Sequence, residues 1–203
     1  MMMDGPARIS LTEASHVAVA RVLKAGGTAI DATVGNGRDT EFLARTVGED
    51  GRVYGFDIQP LALVAARGRL ARAGLMRRVT LFEAGHERMG ELIPSAERGN
   101  VRAAIFNLGW LPGGLHHVTT RRDTTLAALD AVLEFLAPCG ILAVVCYPGH
   151  PEGAEECAAV EKWAAALDGS RYRVERADAA PGTLRVPPKL ISVVGIAPVS
   201  GMT

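Results

Sequence analysis

Two carboxylates and a glycine turn are spaced so that they could hold a small polar ligand between them. Asp31 ends a short apolar run, Gly35, Asn36 and Gly37 follow it, and Asp57 ends a second apolar run twenty residues beyond Gly37. Glycines let a backbone come close to a ligand. Carboxylates accept hydrogen bonds from hydroxyls and attract cations. Two acidic strand ends with a glycine turn between them form the layout of a nucleoside site at the carboxyl edge of a parallel sheet.

The turn itself narrows the choice of nucleoside. A dinucleotide site wants Gly-x-Gly-x-x-Gly, with the pyrophosphate on the helix N-terminus. Here Thr40 stands at the third glycine position, and Asp39 puts a negative charge where a diphosphate would lie. S-adenosylmethionine carries no phosphate; it offers an ammonium, a sulfonium, a ribose diol and an adenine. Asp31 suits the cationic methionine end and Asp57 the ribose hydroxyls. Binding of S-adenosylmethionine, with S-adenosylhomocysteine as product, is therefore expected over binding of NAD.

A second cluster follows the fourth apolar run: Asn107, Leu108, Gly109, Trp110, Leu111, Pro112, Gly113 and Gly114. A side-chain amide oxygen and a backbone carbonyl can accept hydrogen bonds from an attacking nitrogen and aim its lone pair. An aromatic ring beside them can stack on a planar base. Asn107, the Leu108 carbonyl and Trp110 are the candidate catalytic groups. The segment resembles the Asn-Pro-Pro-aromatic turn of methyltransferases that act on exocyclic amines. Trp110, Pro112, Gly113, Arg121, Arg122 and His150 are expected on the substrate side. Plain alternatives stand beside these readings: Asn107 as a turn residue, Trp110 as core, His86 as a helix cap.

Elements able to position these groups are legible as alternating apolar and helix-like segments. Strands are expected at 28–32, 53–56, 79–82, 103–106 and 141–147, short and apolar on both faces as in a covered parallel sheet. Helices are expected near 15–24, 39–46, 60–73, 124–136 and 154–167, with Pro60 in a first turn, Asp123 or Thr124 as an N-cap and Gly140 as a stop. Segments 171–176 and 190–196 read as two strands with no helix between them, so the sheet should end in a hairpin. The 203 residues suit one domain, with 1–11 as a tail. Hydrophobic residues make up 48%, enough for a sizeable core. Zero formal net charge argues against a coat of nucleic acid but not against a local basic patch. No run approaches the roughly 18 apolar residues of a membrane helix, and no signal-peptide pattern is present, so a cytoplasmic protein without a membrane partner is expected.

Taken together, Asp31 to Thr40 (DATVGNGRDT), Tyr54 to Gln59 (YGFDIQ), Phe106 to Gly114 (FNLGWLPGG) and Gly149 to Gly153 (GHPEG) resemble the bacterial "putative rRNA methylase" family of class I S-adenosylmethionine-dependent methyltransferases. The resemblance covers roughly residues 12–196. It implies a Rossmann-like α/β fold: a seven-stranded, mostly parallel sheet with an antiparallel last strand and helices on both faces. It further implies N-methylation of the aminomethyl group on tRNA wobble uridine, giving 5-methylaminomethyl-2-thiouridine, with the tRNA anticodon region as partner. Ribosomal RNA or a small-molecule amine is the alternative acceptor, and a non-catalytic S-adenosylmethionine-binding protein the alternative of another class. By motif match the cofactor side includes Asp31, Gly35, Asn36, Gly37, Asp57, Ile58, Gln59 and His86, to which Thr33, Asp39, Thr40 and Asn107 are added. The substrate side includes Asn107, Leu108, Gly109, Trp110 and His150. Leu115, His116 and His117, Pro148 before Gly149, and the stretch from Thr183 to Pro188 depart from the family pattern.

The remaining chemistry-bearing residues are assigned structural roles. Cys139, Cys146 and Cys157 share no metal or redox spacing, and Cys146 reads as a buried hydrophobe. His116, His117 and His150 match no metal motif, so no metal is expected. Arg67, Arg69, Arg72, Arg77 and Arg78 read as a solvated helix face, and His16 is expected on the first helix near the cofactor mouth, its role open. A homodimer is compatible with the sequence, which does not fix the oligomeric state.

Overall fold

The computed structural model describes residues 9–109, 119–179 and 186–197. Seven strands form one sheet: β1 (Thr28–Asp31), β2 (Arg52–Asp57), β3 (Val79–Glu83), β4 (Val101–Asn107), β5 (Leu136–Cys146), β6 (Tyr172–Asp178) and β7 (Lys189–Gly195). Their order is β3-β2-β1-β4-β5-β7-β6. Strand β7 runs antiparallel to both β5 and β6, and the other pairings are parallel. This is the expected seven-stranded sheet with a reversed last strand.

Side chains of a strand alternate between faces, and in the central strands β1, β2, β4 and β5 both faces are buried. Ile30, Phe56, Phe106 and Val144 point to one side, where they meet α4 (Met89–Leu92), α5 (Arg122–Phe135) and α6 (Pro151–Ala165). Their neighbours Ala29, Val53, Ile105 and Val145 point to the other, against α1 (Leu11–Val22), α2 (Arg38–Thr46) and the end of α3 (Pro60–Arg72). Fully burying each of Phe56, Phe106 and Phe135 contributes about 1.5–3 kcal/mol. No described helix is long and apolar enough to cross a membrane.

Several boundaries differ from expectation for identifiable reasons. Helix α1 starts at Leu11 rather than Ser15 because Ser10 and Glu13 form a capping box. Leu11 is buried, so it belongs to the fold, whereas residues 1–8 of the expected tail lie outside the described residues. Helix α5 runs straight into β5 at Leu136. Gly140 lies inside that strand and is no helix stop; a Cβ there would stand 2.8 Å from the Ala137 carbonyl oxygen. Arg121, not Asp123 or Thr124, is the N-cap of α5, and no side chain caps it.

Candidate functional site

A cavity of about 950 Å³ opens at the carboxyl ends of β1, β2, β4 and β5, with the start of α1 as its opposite wall. The sheet order reverses between β1 and β4, the switch point where open α/β sheets take ligands.

Beyond β1 the backbone turns at Gly35 and Gly37, whose φ angles of 49° and 74° are in the left-handed region. Gly35 lines the cavity, and its N–H donates to Asp57 Oδ2 at 2.8 Å. The other Asp57 oxygen accepts from the Gln59 N–H at 2.8 Å. Asp57 is thus clamped at the cavity wall with lone pairs to spare. Burial raises its pKa, against those backbone hydrogen bonds. Thr33, Asn36, Asp39, Ile58, Gln59, His86 and Asn107 also line the cavity.

Asp31, Gly37 and Thr40 do not line it; all three are buried behind the wall. Asp31 accepts from the Thr33 N–H at 3.1 Å and the Thr40 hydroxyl at 2.5 Å. Burial first, and the neighbouring Asp39 second, raise its pKa to about 7. The carboxylate beside the glycine turn that reaches the cavity is Asp39. Gly37 makes its close approach to α3 rather than to the cavity. Arg69 straps the turn in place through the Asn36 carbonyl at 2.9 Å and Glu41 at 3.0 Å, so it does more than face solvent.

His86 is buried at the wall and does not cap its helix, whose N-cap is Gly85. Its Nδ1 lies 3.2 Å from the Ala32 carbonyl oxygen. A carbonyl only accepts, so Nδ1 carries the proton. Burial lowers the pKa and favours the neutral ring. Nε2 is then an acceptor, and it has no partner in the described structure.

Asn107 ends β4. Its N–H donates to Thr33 Oγ1 at 2.8 Å, and its Nδ2 donates to Asp39 Oδ2. The amide oxygen is buried without a partner. Leu108, next to it, has a buried side chain. Trp110, Pro112, Gly113, His116 and His117 lie outside the described residues. Of the two arginines expected to meet substrate, exposed Arg121 lines the cavity, whereas Arg122 does not and pairs with Asp123 at 2.9 Å. His150 lines the cavity and N-caps α6, accepting from the Gly153 N–H at 3.1 Å.

Sequence reasoning missed Ser10, Glu13, Thr120 and Tyr147, all on the cavity wall, whereas His16 lines it from α1 as expected. The Ser-x-x-Glu spacing of residues 10–13 was a readable helix-start signal. Tyr147 gave no local sign.

The lining carries four carboxylates, Glu13, Asp39, Asp57 and Glu87, against two arginines, Arg38 and Arg121, and includes the unpartnered acceptors of Asn107 and His86. Such a wall fits a cationic nucleoside with a diol and an exocyclic amine. The strand order with reversed β7, and a cavity of this kind at the switch point, define the class I methyltransferase fold. The chain belongs to the "Putative rRNA methylase" family, whose model matches residues 53–192.

Among its relatives, a chloroplastic tRNA (mnm5s2U34)-methyltransferase of Arabidopsis thaliana is 42% identical over 173 residues, which is 81% of this chain and 62% of the plant protein. This chain therefore spans less than two thirds of that protein. A "putative rRNA-methylase" structure from Clostridium thermocellum superposes with a TM-score of 0.88 at 39% identity, covering 94% of this chain and all of that one. A structure described as "a putative methyltransferase" from Streptococcus mutans, in complex with S-adenosylhomocysteine, gives 0.81 at 33% identity, over 96% and 100% of the two chains.

Proposed function

We propose that the protein is an S-adenosylmethionine-dependent N-methyltransferase whose acceptor is the aminomethyl group of a tRNA wobble uridine. The observation that carries this reading is the Asn107 amide oxygen, buried at the cavity wall and without a partner. The plant relative supports the acceptor, being a tRNA (mnm5s2U34)-methyltransferase. The bacterial relative with S-adenosylhomocysteine supports the donor.

When bound, S-adenosylmethionine supplies an electrophilic methyl on a sulfonium: a nitrogen–carbon bond forms, the sulfur–carbon bond breaks, and S-adenosylhomocysteine leaves. The residues of this chain bind and align. Asp57 accepts from the ribose hydroxyls. Asp39 offers negative charge to the cationic end, and Asp31 holds the turn from behind through Thr40 and Thr33. His86 Nε2 accepts a hydrogen bond from an amine donor such as the exocyclic amine of adenine. Asn107 Oδ1 and the Leu108 carbonyl accept from the substrate amine, aiming its lone pair and stabilising charge that grows on nitrogen. An amine with a neutral fraction at working pH needs no dedicated strong base. Trp110, Pro112 and Gly113 are assigned to base stacking and contact, and Arg121, Arg122 and His150 to the RNA side.

Mass spectrometry of tRNA nucleosides from cells with and without the gene tests the proposal. The deletion should accumulate aminomethyl uridine at the expense of its methylated form. An unchanged nucleoside profile sinks the tRNA acceptor. Titration with S-adenosylhomocysteine and NAD tests the donor separately.

A further inference from the structure

Asn107 is one end of a chain of three side chains from three elements. Its Nδ2 donates to Asp39 Oδ2. The other oxygen of Asp39 lies 2.6 Å from His16 Nε2. The His16 ring is stacked on Phe42, with centroids 3.9 Å apart and planes 7° from parallel. Helix α1 brings the histidine, the first turn of α2 the aspartate, and the end of β4 the asparagine. All three line the cavity.

A terminal amide has two ends of nearly equal size, one an acceptor and one a donor. Only the oxygen can accept a hydrogen bond from an amine; the NH2 end would oppose its N–H groups. Something must therefore choose between the two orientations. A carboxylate accepts only, so Asp39 Oδ2 selects the NH2 end and leaves the oxygen, buried and without a partner, as the acceptor. Asp39 in turn needs its rotation fixed. His16 does this by donating Nε2–H to Oδ1, while the Phe42 ring holds the imidazole plane.

We propose that His16 and Asp39 are positioning residues that lock the Asn107 amide with its oxygen toward the acceptor amine. Their contribution to turnover passes through Asn107. The proposal rests on the N-methyltransferase reading above. It adds what that reading lacked, namely why the amide points the productive way and why a histidine 23 residues before Asp39 belongs to the site. The negative charge of Asp39 behind the amide also polarises its oxygen toward a nitrogen gaining positive charge.

The test is a double-mutant cycle with a spectroscopic arm. Full-length protein is assayed with labelled S-adenosylmethionine on total tRNA from cells lacking the gene. His16→Ala should lower kcat about tenfold, with the KM for tRNA and the Kd for S-adenosylhomocysteine within about twofold. His16→Gln keeps a donor and should recover most of the loss. In an Asn107→Ala background, His16→Ala should change kcat by less than about twofold, because nothing is left to orient. Additive losses, or no rescue by glutamine, overturn the proposal.

The spectroscopic arm reads the lock without turnover. In ligand-free protein, one Asn107 side-chain amide proton, assigned by its loss in Asn107→Ala, should resonate downfield of the exposed asparagines and exchange slowly. Asp39→Asn should abolish both properties. An Asn107 amide that behaves like the exposed ones overturns the lock whatever the assay gives. Should the wild-type protein methylate no amine while the resonance behaves as expected, the enzymatic reading fails and the proposed role in turnover fails with it, while the lock itself stands.

Discussion

Gly37 lies so close to Ala66 of α3 that a Cβ on it would stand 2.8 Å from both the Cα and the Cβ of that alanine. Its φ of 74° is also left-handed. The second glycine of the turn is therefore needed for packing: it lets α2 begin hard against α3, and that fixes the direction from which Asp39 enters the cavity. Gly37→Ala combines the left-handed penalty with a backbone clash, together about 2–4 kcal/mol. At 2–4 °C per kcal/mol for a domain of this size, Tm should fall by roughly 5–15 °C. Gly74 is the matched control, with φ 71° and nothing within 4 Å of a built Cβ. Calorimetry of Gly37→Ala and Gly74→Ala should show the first clearly worse; equal losses would leave the clash without weight.

Asp57 has both oxygens engaged by backbone N–H groups at 2.8 Å, from Gly35 and Gln59. Removing the carboxylate strands two donors at the cavity wall and takes away the proposed partner of the ribose. Asp57→Ala should raise the Kd for S-adenosylhomocysteine at least tenfold in isothermal titration. Ligand-free stability should fall by about 1–3 kcal/mol per orphaned donor that water does not reach. An unchanged Kd would place the ribose elsewhere.

These two residues also mark what could be read in advance. Strand order and the sites at strand ends were legible because a parallel sheet buried on both faces writes its strands as apolar runs, and Asp57 and Asn107 punctuate two of them. Depth was not legible. Asp31 and Asp57 look equivalent in sequence, yet helix packing buries the first and leaves the second on the wall. Partnership across the fold was not legible either: His16 meets Asp39 only because α1 crosses β4 and β5 on the same side as α2. Gly140 looked like a helix stop because nothing local revealed that α5 passes directly into β5.

The burial of Asp31 has a consequence for pH. Its ordinary pKa is 3.8 and burial with Asp39 nearby raises it to about 7 in the folded chain. Between those values the folded state holds more protons than the unfolded state, so stability falls as pH rises through the window. Below about pH 4 the penalty is absent, and above about pH 7 it is fully present and constant. Asp31→Asn has no such charge, and its amide can still accept from the Thr33 N–H and donate to the Thr40 hydroxyl. The stability difference between Asp31→Asn and wild type should therefore shift in favour of the asparagine from pH 4.5 to pH 7, then level off. Chemical denaturation at pH 4.5, 6, 7 and 8 measures it. A difference that stays flat across the series would mean that Asp31 titrates alike in both states.

Glu156 is a carboxylate only 3% exposed, held in α6 between two hydroxyls. Thr125 donates to Oε1 and Thr120 to Oε2, each at 2.6 Å. Thr120 Oγ1 also accepts from the Gly109 N–H at 2.9 Å, and the Thr120 N–H returns to the Gly109 carbonyl at 3.3 Å. The glutamate thus ties together Gly109 and Thr120, the two ends of the segment that carries Trp110, Pro112 and Gly113. Both arms should contribute to stability, but only the Thr120 arm reaches Gly109 and the cavity wall. Thr125→Val and Thr120→Val each leave one glutamate oxygen short of a donor, and each should cost about 1–3 kcal/mol in denaturation. Only Thr120→Val also frees the Gly109 N–H. It should raise the KM for tRNA severalfold and lower kcat, while Thr125→Val keeps both within about twofold at a temperature where each variant is folded. Equal kinetic losses from the two valines would show that stability, not the tie to Gly109, is what Glu156 supplies.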